Sequence, residues 1–530
     1  MNTATPFKLT YSTMFDPPPE LHARFETALA AIRGHLGAEH AMLIDGANER
    51  APRRFETRSP IDTRTVLGRF QAGAGPDADA AVAAAQKAFP AWAATPWRER
   101  VALLRRAVAL IEERVYYLGA VLALEVGKNR MEALGEAQET ADLIAYYCDQ
   151  MEANDGYVRP MARDPVAGFA SENTSALKPH GVWLVIAPFN FPFALSGGPS
   201  GAALVAGNTV VFKSASVTAW SGRLLADVFR DAGLPPGVFN YVTGPGGSLG
   251  EALIRHPGIA GVTFTGSYDV GMHLYRTFAE GRWPRPCIAE MGGKNAAIVS
   301  RNGNLDDAVL GVTRSAFGLS GQKCSACSRV YIDHTVFNDF VSALHAATTK
   351  IAVGDPTQRA NWMGPVIDTA ALARYEDAAA QIRALPETGV IVVGGERLDR
   401  GDLAHGHYCA PTIARAPLDH PLWQRELFAP FVLVAPVANL DEAMAHANAS
   451  EYALTAGFYG SDDETEGFFG EIEAGVCYAN RPQGATTGAW PGYQPFGGWK
   501  GSGSTGKAGG SLYYVPQYLR EQSQTRVRRV

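Results

Sequence analysis

The sequence predicts an α/β protein of two lobes, each built on a mainly parallel sheet with helices on its faces. Three observations carry this reading. From about residue 180, short β-branched runs alternate with helical stretches: VWLVIAP (182–188), TVVFK (209–213), FNYVTG (239–244) and GVTFTGS (261–267). Strand–helix alternation of this kind is the mark of crossover units in a parallel sheet. The pattern restarts after 290 with AAIVS (296–300), RVYID (329–333), VIVVGG (390–395), FVLVAPV (431–437) and GVCYAN (475–480), so two lobes are expected to meet near 290. Finally, 530 residues with 46% hydrophobic and 19% charged side chains are enough for sizeable cores without disulfides or metal.

Taken in order, residues 1–60 read as a helical lead-in punctuated by Pro17 to Pro19. An amphipathic helix is expected from about Trp97 to Tyr117, because Val101, Leu104, Val108 and Ile111 recur at helical spacing with Arg and Glu between them. A second helix is expected over Met131 to Met151. A Gly/Ala helix follows VWLVIAP, and WSGRLLADVFRDAG forms one after TVVFK. Shorter helices end near His256 and Phe278. Residues 482–530, rich in Gly and aromatics, read as a loop plus an arm. There is no internal repeat and no low-complexity tract.

Composition removes several classes of function. The net charge of -6 offers no basic excess for a phosphate backbone, so no nucleic acid is expected. Six Cys, at 148, 287, 324, 327, 409 and 477, form no disulfide framework and fit a reducing compartment. The first twenty residues lack a signal-type apolar core. Residues 181–212 carry no charge, but Pro188, Asn190, Pro192, Pro199 and Asn208 interrupt them. A strand, a polar loop, a helix and another strand fit better than a membrane span. A soluble, cytoplasmic protein with no membrane partner and no metal site is expected.

The segment richest in chemistry is GQKCSACSR (321–329). As half of a zinc site its CxxC lacks a second ligand pair, and as a redox pair it does not open a helix after the first strand of a small domain. A buried inert Cys is the plain alternative. Against it stand Gly321, Gln322, Lys323 and Ser325, a polar turn that suits a nucleophilic Cys324. A base and an oxyanion donor are then needed. Glu290 in EMGGKN precedes two glycines that permit close backbone approach, although alone it reads as a surface acid. Asn190, in the apolar loop APFNFP, holds an amide that must find a partner or serve as a donor to a reacting oxygen. A simple turn-former is the other reading.

Together these three motifs identify a resemblance. From about residue 60 to 520 the chain resembles the NAD(P)-dependent aldehyde dehydrogenase superfamily, in which Asn190, Glu290 and Cys324 occur in the family order with the last two 34 positions apart. The resemblance implies a Rossmann-type NAD(P)-binding domain (1–155 and 178–289), an α/β catalytic domain (290–500) and a small β oligomerisation arm (156–177 and 501–530). It implies a homo-oligomer, a dimer or dimer-based assembly. It also implies that Cys324 attacks the aldehyde, that Asn190 helps hold the oxyanion, and that Glu290 activates the water that hydrolyses the thioester. For NAD, with NADP possible, it implies contacts from Lys213 and Ser216, from Gly246 and Gly250, and from Gly266, Ser267 and Gly271 in FTGSYDVG. Glu426 and Phe428 of ELFAPF belong to the nicotinamide end; Ala429 replaces the family's usual Gly there. Ser216 stands where many NAD-specific relatives carry Glu, which leaves the cofactor choice open.

Within the superfamily, GQKCSACSR and the ending GATTGAWPGYQPFGGWKGSG resemble the Δ1-pyrroline-5-carboxylate dehydrogenase branch, which oxidises L-glutamate γ-semialdehyde in proline catabolism. That branch implies a carboxylate site from Ser325 and the backbone of Gly484 and Ala485, aromatic cover from Phe191 and Phe496, and an acid near the site at Glu136, unless Glu136 is an ordinary helix-surface residue. The run AWPGY (489–493) is longer than the branch usually has and stands beside the carboxylate anchor. The alternatives are an aldehyde dehydrogenase for another aromatic or aliphatic aldehyde, and a non-catalytic family member with a binding role.

Overall fold

The structure is a computed structural model that describes residues 7–15, 17–385 and 387–530. Two seven-stranded sheets dominate it. The strand order in the first is Cys287–Glu290, Ile259–Thr265, Val182–Ile186, Thr209–Lys213, Phe239–Val242, Met42–Ile44 and Ala47–Glu49. Its first five strands are parallel and the last two are added antiparallel. In the second sheet the order is Val390–Val393, Thr412–Arg415, Phe431–Val437, Cys327–Asp333, Asn295–Val299, Thr455–Tyr459 and Val476–Ala479. Only its edge strand Val390–Val393 pairs antiparallel.

The unbroken apolar runs follow from cover on both faces. Trp183 and Val185 enter one core together with Val101 and Leu104 of helix Trp97–Glu113, while Val182 and Leu184 join Ala78, Ala81 and Val82 of helix Gly75–Ala94 on the other face. The second sheet repeats the arrangement, with Ala296 and Ile298 in one core and Ala297 and Val299 in another.

Topology fixes where a ligand can sit. From Val182–Ile186 the chain adds Thr209–Lys213 and Phe239–Val242 on one side, then crosses to the other side for Ile259–Thr265. The carboxyl ends of strands at such a reversal flank an open crevice. The first sheet therefore presents C-terminal strand ends: Ile186, Lys213, Thr265 and Glu290. The second presents N-terminal strand ends to the same space, because the chain runs from Glu290 through four residues into the strand that opens at Asn295.

Some expectations need correction. The lead-in is helical only over Pro19–Arg33; Ala38–His40, Met42–Ile44, Ala47–Glu49 and Arg54–Arg58 are strands. Three-residue strands such as AEH and ANE are too short and too exposed to show an alternation. Residues 1–6 of that segment lie outside the described residues. Helix Gly75–Ala94 was not expected, since a run dominated by alanine blurs any polar–apolar period. The amphipathic helix from Trp97 stops at Glu113, and a separate helix spans Val115–Val126.

The expected arm is smaller than 156–177 plus 501–530. Its three-stranded sheet takes Val158–Pro160, Phe169–Pro179 and Leu519–Arg529. Residues 501–518 belong to the body: Met291 N–H donates to Ser502 O (2.9 Å), Ser504 N–H donates to Ala289 O (3.0 Å), and Tyr514 and Tyr518 are buried. Among the described residues no helix is long and apolar enough to cross a membrane, and no His, Cys, Asp and Glu cluster could hold a metal ion.

Candidate active site

Cys324 lies in the turn that precedes strand Cys327–Asp333, and the fold defines that turn by several independent bonds. Leu319, Ser320 and Gly321 all have left-handed φ (50°, 55° and 68°). For Leu and Ser that conformation is costly and survives only where the surroundings over-determine it. They do so here. Leu319 N–H donates to Glu132 Oε2 (3.2 Å) and Ser320 Oγ donates to Gly364 O (2.7 Å). Gln322, fully buried, receives Ile367 N–H on its Oε1 (2.8 Å). Asn295 Nδ2 donates to both Cys324 O (2.7 Å) and Ala326 O (2.9 Å). A Cβ at Gly293 would overlap the Cys324 carbonyl, which explains a glycine in EMGGKN.

Cys324 opens on one large cavity, also lined by Glu290, Ser325, Phe191 and Phe496. Five of the predicted site residues are thereby brought together. Burial, helped by the carboxyl groups of Glu426 and Glu290, pushes the half-buried Cys324 thiol up to about 12; the backbone N–H groups of Ser325 and Cys324 pull the other way. The second Cys of CSAC is different: Cys327 is buried, and its thiol donates to Arg329 O.

Glu290 ends strand Cys287–Glu290. Burial raises its carboxyl from 4.5 to about 8, with an opposing bond from Gly498 N–H. Its Oε2 is a buried oxygen with no hydrogen-bond partner among the described residues. An unpaired buried carboxyl oxygen is costly, and a base awaiting a water proton has that form.

Asn190 is 3% exposed and one of its N–H groups donates to Gln322 O (2.8 Å). The PFNFP loop is thereby tied to the nucleophile turn, and the second N–H of the amide is left for another acceptor.

Two assignments are corrected by the structure. Glu136 neither lines the cavity nor sits on a helix surface. It is fully buried, accepts Phe193 N–H (2.7 Å) and Ala194 N–H (3.2 Å) at the start of helix Ala194–Ala206, and pairs with Lys128 (2.6 Å). Lys128 Nζ lies 3.4 Å from the centre of the Phe191 ring. Glu136 thus holds the loop that presents Phe191. The carboxyls that do reach the cavity from the same helix are Glu132 and Glu139, about one turn to either side.

Gly484 and Ala485 do not offer free backbone donors either. Gly484 N–H donates to Arg481 O (3.4 Å) and Ala485 N–H donates to Gly311 O (3.0 Å). The pair that lines the cavity is Gly488 and Ala489, whose N–H groups meet no acceptor among the described residues. The sequence carried the signal: GATTGA contains the Gly-Ala pair twice. Trp490 and Pro491 of the AWPGY run also reach the cavity wall.

At the cofactor edge, Lys213 closes strand Thr209–Lys213, 6% exposed. It meets no carboxylate among the described residues; its Nζ donates to Ser214 O (3.2 Å), and burial lowers it to about 8. Gly250 lies against its side chain, with an added Cβ 3.6 Å from Lys213 Cε, and Gly246 faces open space. Ser216 Oγ donates to Gly244 O (3.2 Å). Gly266 follows strand Ile259–Thr265, and exposed Ser267 stands at the N-cap of helix Tyr268–Ala279 without a side-chain cap bond. The amide end of that helix favours an anion. Gly271 allows the helix to pack on Met291, whose sulfur would be 2.5 Å from a Cβ there. Glu426 accepts Gly293 N–H (2.9 Å) and is raised to about 7 by burial, while Phe428, at φ 55°, packs edge-on against Phe189. A buried cation with no carboxylate beside it, open glycines and a bare helix end together fit a dinucleotide.

Comparison with known proteins agrees with this geometry. A sequence model of the aldehyde dehydrogenase family matches residues 47–523. The chain is 36% identical over 498 residues to a 1-pyrroline-5-carboxylate dehydrogenase of Geobacillus thermodenitrificans, covering 93% of this chain and 94% of that one. Among solved structures it is similar to a 1-pyrroline-5-carboxylate dehydrogenase from Thermus with bound NAD (TM-score 0.91, 32% identity, all of both chains). It is also similar to proline utilization A from Bdellovibrio bacteriovorus (TM-score 0.89, 34% identity), where it covers 95% of this chain and about half, 51%, of that longer one. The chain therefore belongs to the aldehyde dehydrogenase family.

Proposed function

We propose that the chain oxidises L-glutamate γ-semialdehyde to L-glutamate with NAD(P) as hydride acceptor, the aldehyde-oxidising step of proline catabolism. The observation that carries this reading is one cavity holding Cys324, a Glu290 carboxyl with an unpaired Oε2, Ser325 and the free N–H groups of Gly488 and Ala489.

Cys324 as thiolate adds to the aldehyde carbon. The oxyanion is held by the second Asn190 N–H and the Cys324 backbone N–H; one such donor is worth about 3–4 kcal/mol of barrier. Bound NAD(P) would supply the hydride acceptor, and the positive charge of its ring would favour the Cys324 thiolate. A thioester remains on Cys324, and Glu290 takes a proton from the water that hydrolyses it. Lys213 and Ser216 are assigned to the adenosine ribose, Gly246, Gly250, Gly266, Ser267 and Gly271 to the phosphates, and Glu426 with Phe428 to the nicotinamide end. NAD is the favoured cofactor, with NADP accepted because Ser216 places no carboxylate beside the ribose.

The substrate's α-carboxylate is assigned to Ser325, Gly488 and Ala489, with Phe191 and Phe496 over its methylenes. Exposed Val158, Met161, Val166, Phe169 and Val527 on the β arm support a homo-oligomer through that arm, which is taken as a separate unit beside the cofactor-binding and catalytic domains.

A substrate panel with NAD+ and NADP+ tests the reading. A site built to bond a polar head group rejects analogues that lack it. Pentanal is expected to show kcat/KM at least tenfold below the semialdehyde. Ser325→Ala should raise KM for the semialdehyde roughly tenfold, equivalent to about 1.4 kcal/mol, and leave pentanal nearly unchanged. Pentanal or benzaldehyde as the better substrate of the unmutated enzyme would point to another aldehyde.

A further inference from the structure

The cavity wall that faces the anchor loop is contributed by neither lobe's sheet. Tyr11, Met14 and Phe15 come from the start of the chain, more than three hundred residues before Cys324, and line the same cavity. This short stretch is bonded as a strap. Tyr11 Oη donates to Glu139 Oε2 (2.6 Å), and Lys8 pairs with Asp142 (2.8 Å), whose same oxygen accepts Trp490 Nε1–H (2.8 Å). Arg481 Nη2 donates to Ser12 Oγ (3.0 Å), and the Arg314 guanidinium lies 3.5 Å over the Phe15 ring. Within the strap, Met14 N–H donates to Thr10 O (3.1 Å) and Thr13 Oγ1 donates to Lys8 O (2.7 Å).

The Tyr11 ring is the centre of this wall. It meets Trp490 edge-on with ring centres 5.2 Å apart and Phe191 likewise at 6.3 Å. Tyr11 is 8% exposed and Trp490 2%. Its back rests on helix Arg130–Ala153 at Gly135, where an added Cβ would lie 2.9 Å from the ring. Glycine inside a helix is unfavourable relative to alanine, and here the close approach of the Tyr11 ring accounts for it.

We propose that residues 7–15 are a strap that completes the aldehyde cavity, and that Tyr11 is a specificity-determining residue that limits the length of substrate the cavity admits. The ring occupies the room of several methylenes between Trp490 and Phe191. Its hydroxyl also satisfies the half-buried carboxyl of Glu139, which would otherwise face the substrate chain.

The inference rests on reading this cavity as the aldehyde site, so its test uses a readout besides turnover. Alkylation of Cys324 by iodoacetamide is followed by mass spectrometry while straight-chain carboxylates from butanoate to decanoate compete for the cavity. Tyr11→Ala is expected to move the best protectant to longer chains by at least two methylenes. Octanoate should half-protect at a concentration at least fivefold lower, with butanoate within twofold of the unmutated protein. Tyr11→Phe keeps the ring and should keep the length profile.

Gly135→Ala should also alter the profile, because its methyl displaces the ring. A Tyr11→Ala profile within twofold of the unmutated one at every length overturns the proposal. If Tyr11→Ala does not fold, Gly135→Ala decides by the same criterion. An altered profile in a protein that oxidises no aldehyde would leave the wall standing and remove the proposed reaction.

Discussion

The two sheets meet the site from opposite strand ends, and the groups they present differ in how they are held. On the C-terminal ends of the first sheet, Lys213 has no carboxylate partner among the described residues, Gly246 faces open space and the Ser267 hydroxyl caps nothing. On the N-terminal ends of the second, the loops are bonded into the fold: Asn295 to Cys324 and Ala326, Gln322 to Ile367, and Thr486 Oγ1 to Ser325 O (2.6 Å). One edge is shaped to be completed by a ligand. The other arrives with its geometry fixed, as expected where a displacement of about 1 Å costs roughly a hundredfold in rate.

The largest effect should come from the fixed edge. Cys324→Ala is expected to abolish aldehyde oxidation, by at least a thousandfold, while NAD+ binding followed by fluorescence is unchanged. Cys327→Ala, three residues away in the buried strand, should keep most of the activity. Reversed results would dissolve the assignment of that edge.

Glu290, where the two edges join, should give an intermediate effect. Glu290→Gln should produce a burst of NADH, then turnover slowed about a hundredfold or more, with a thioester adduct on Cys324. Because the carboxyl sits at about 8 and the ionised form is the base, hydrolysis in the unmutated enzyme should rise with pH through that value, and the variant should lose the rise. Stability carries the matching sign. A folded-state value raised from 4.5 to about 8 contributes stability that is present below 4.5 and lost as pH rises through 8. The variant's melting temperature should therefore gain on the unmutated protein between pH 5 and pH 9.

The smallest effect belongs to the open edge. Ser216→Glu should weaken NADP+ binding more than tenfold and NAD+ binding by less than threefold, through repulsion of the 2′-phosphate alone. Equal losses, measured by titration with each cofactor, would remove Ser216 from the ribose.

Legibility in the sequence tracked how locally each feature is encoded. Nine of the strands from Val182 onward were readable as β-branched runs, such as Val182–Ile186 with its cover on two faces, whereas Cys287–Glu290, Thr412–Arg415 and Thr455–Tyr459 of the same two sheets were not expected. The trio of Asn190, Glu290 and Cys324 was singled out only by the joint order of its motifs, since alone Glu290 read as a surface acid and Asn190 as a turn-former. Glu136 and Glu139 lie three residues apart on one helix, and no local pattern tells which is turned under the Phe191 loop and which toward the cavity. Two Gly-Ala pairs four residues apart posed the same problem; the bonds from Gly484 N–H to Arg481 O and from Ala485 N–H to Gly311 O separate them. Tyr11 was invisible, since its relation to Cys324 exists only through the fold.

The four residues from Met291 to Lys294 join the end of one sheet to the start of the other. On their upstream side is the proposed base, Glu290; on their downstream side is Asn295, whose amide grips the Cys324 carbonyl. The spacing between base and nucleophile is thus metered by a covalent ruler rather than left to the tilt of two packed lobes. Surface loops tolerate added residues at little cost, since closure entropy grows slowly with length. This connection should not: one residue inserted between Gly292 and Gly293 would lengthen the ruler and separate acylation from hydrolysis while both sheets still folded.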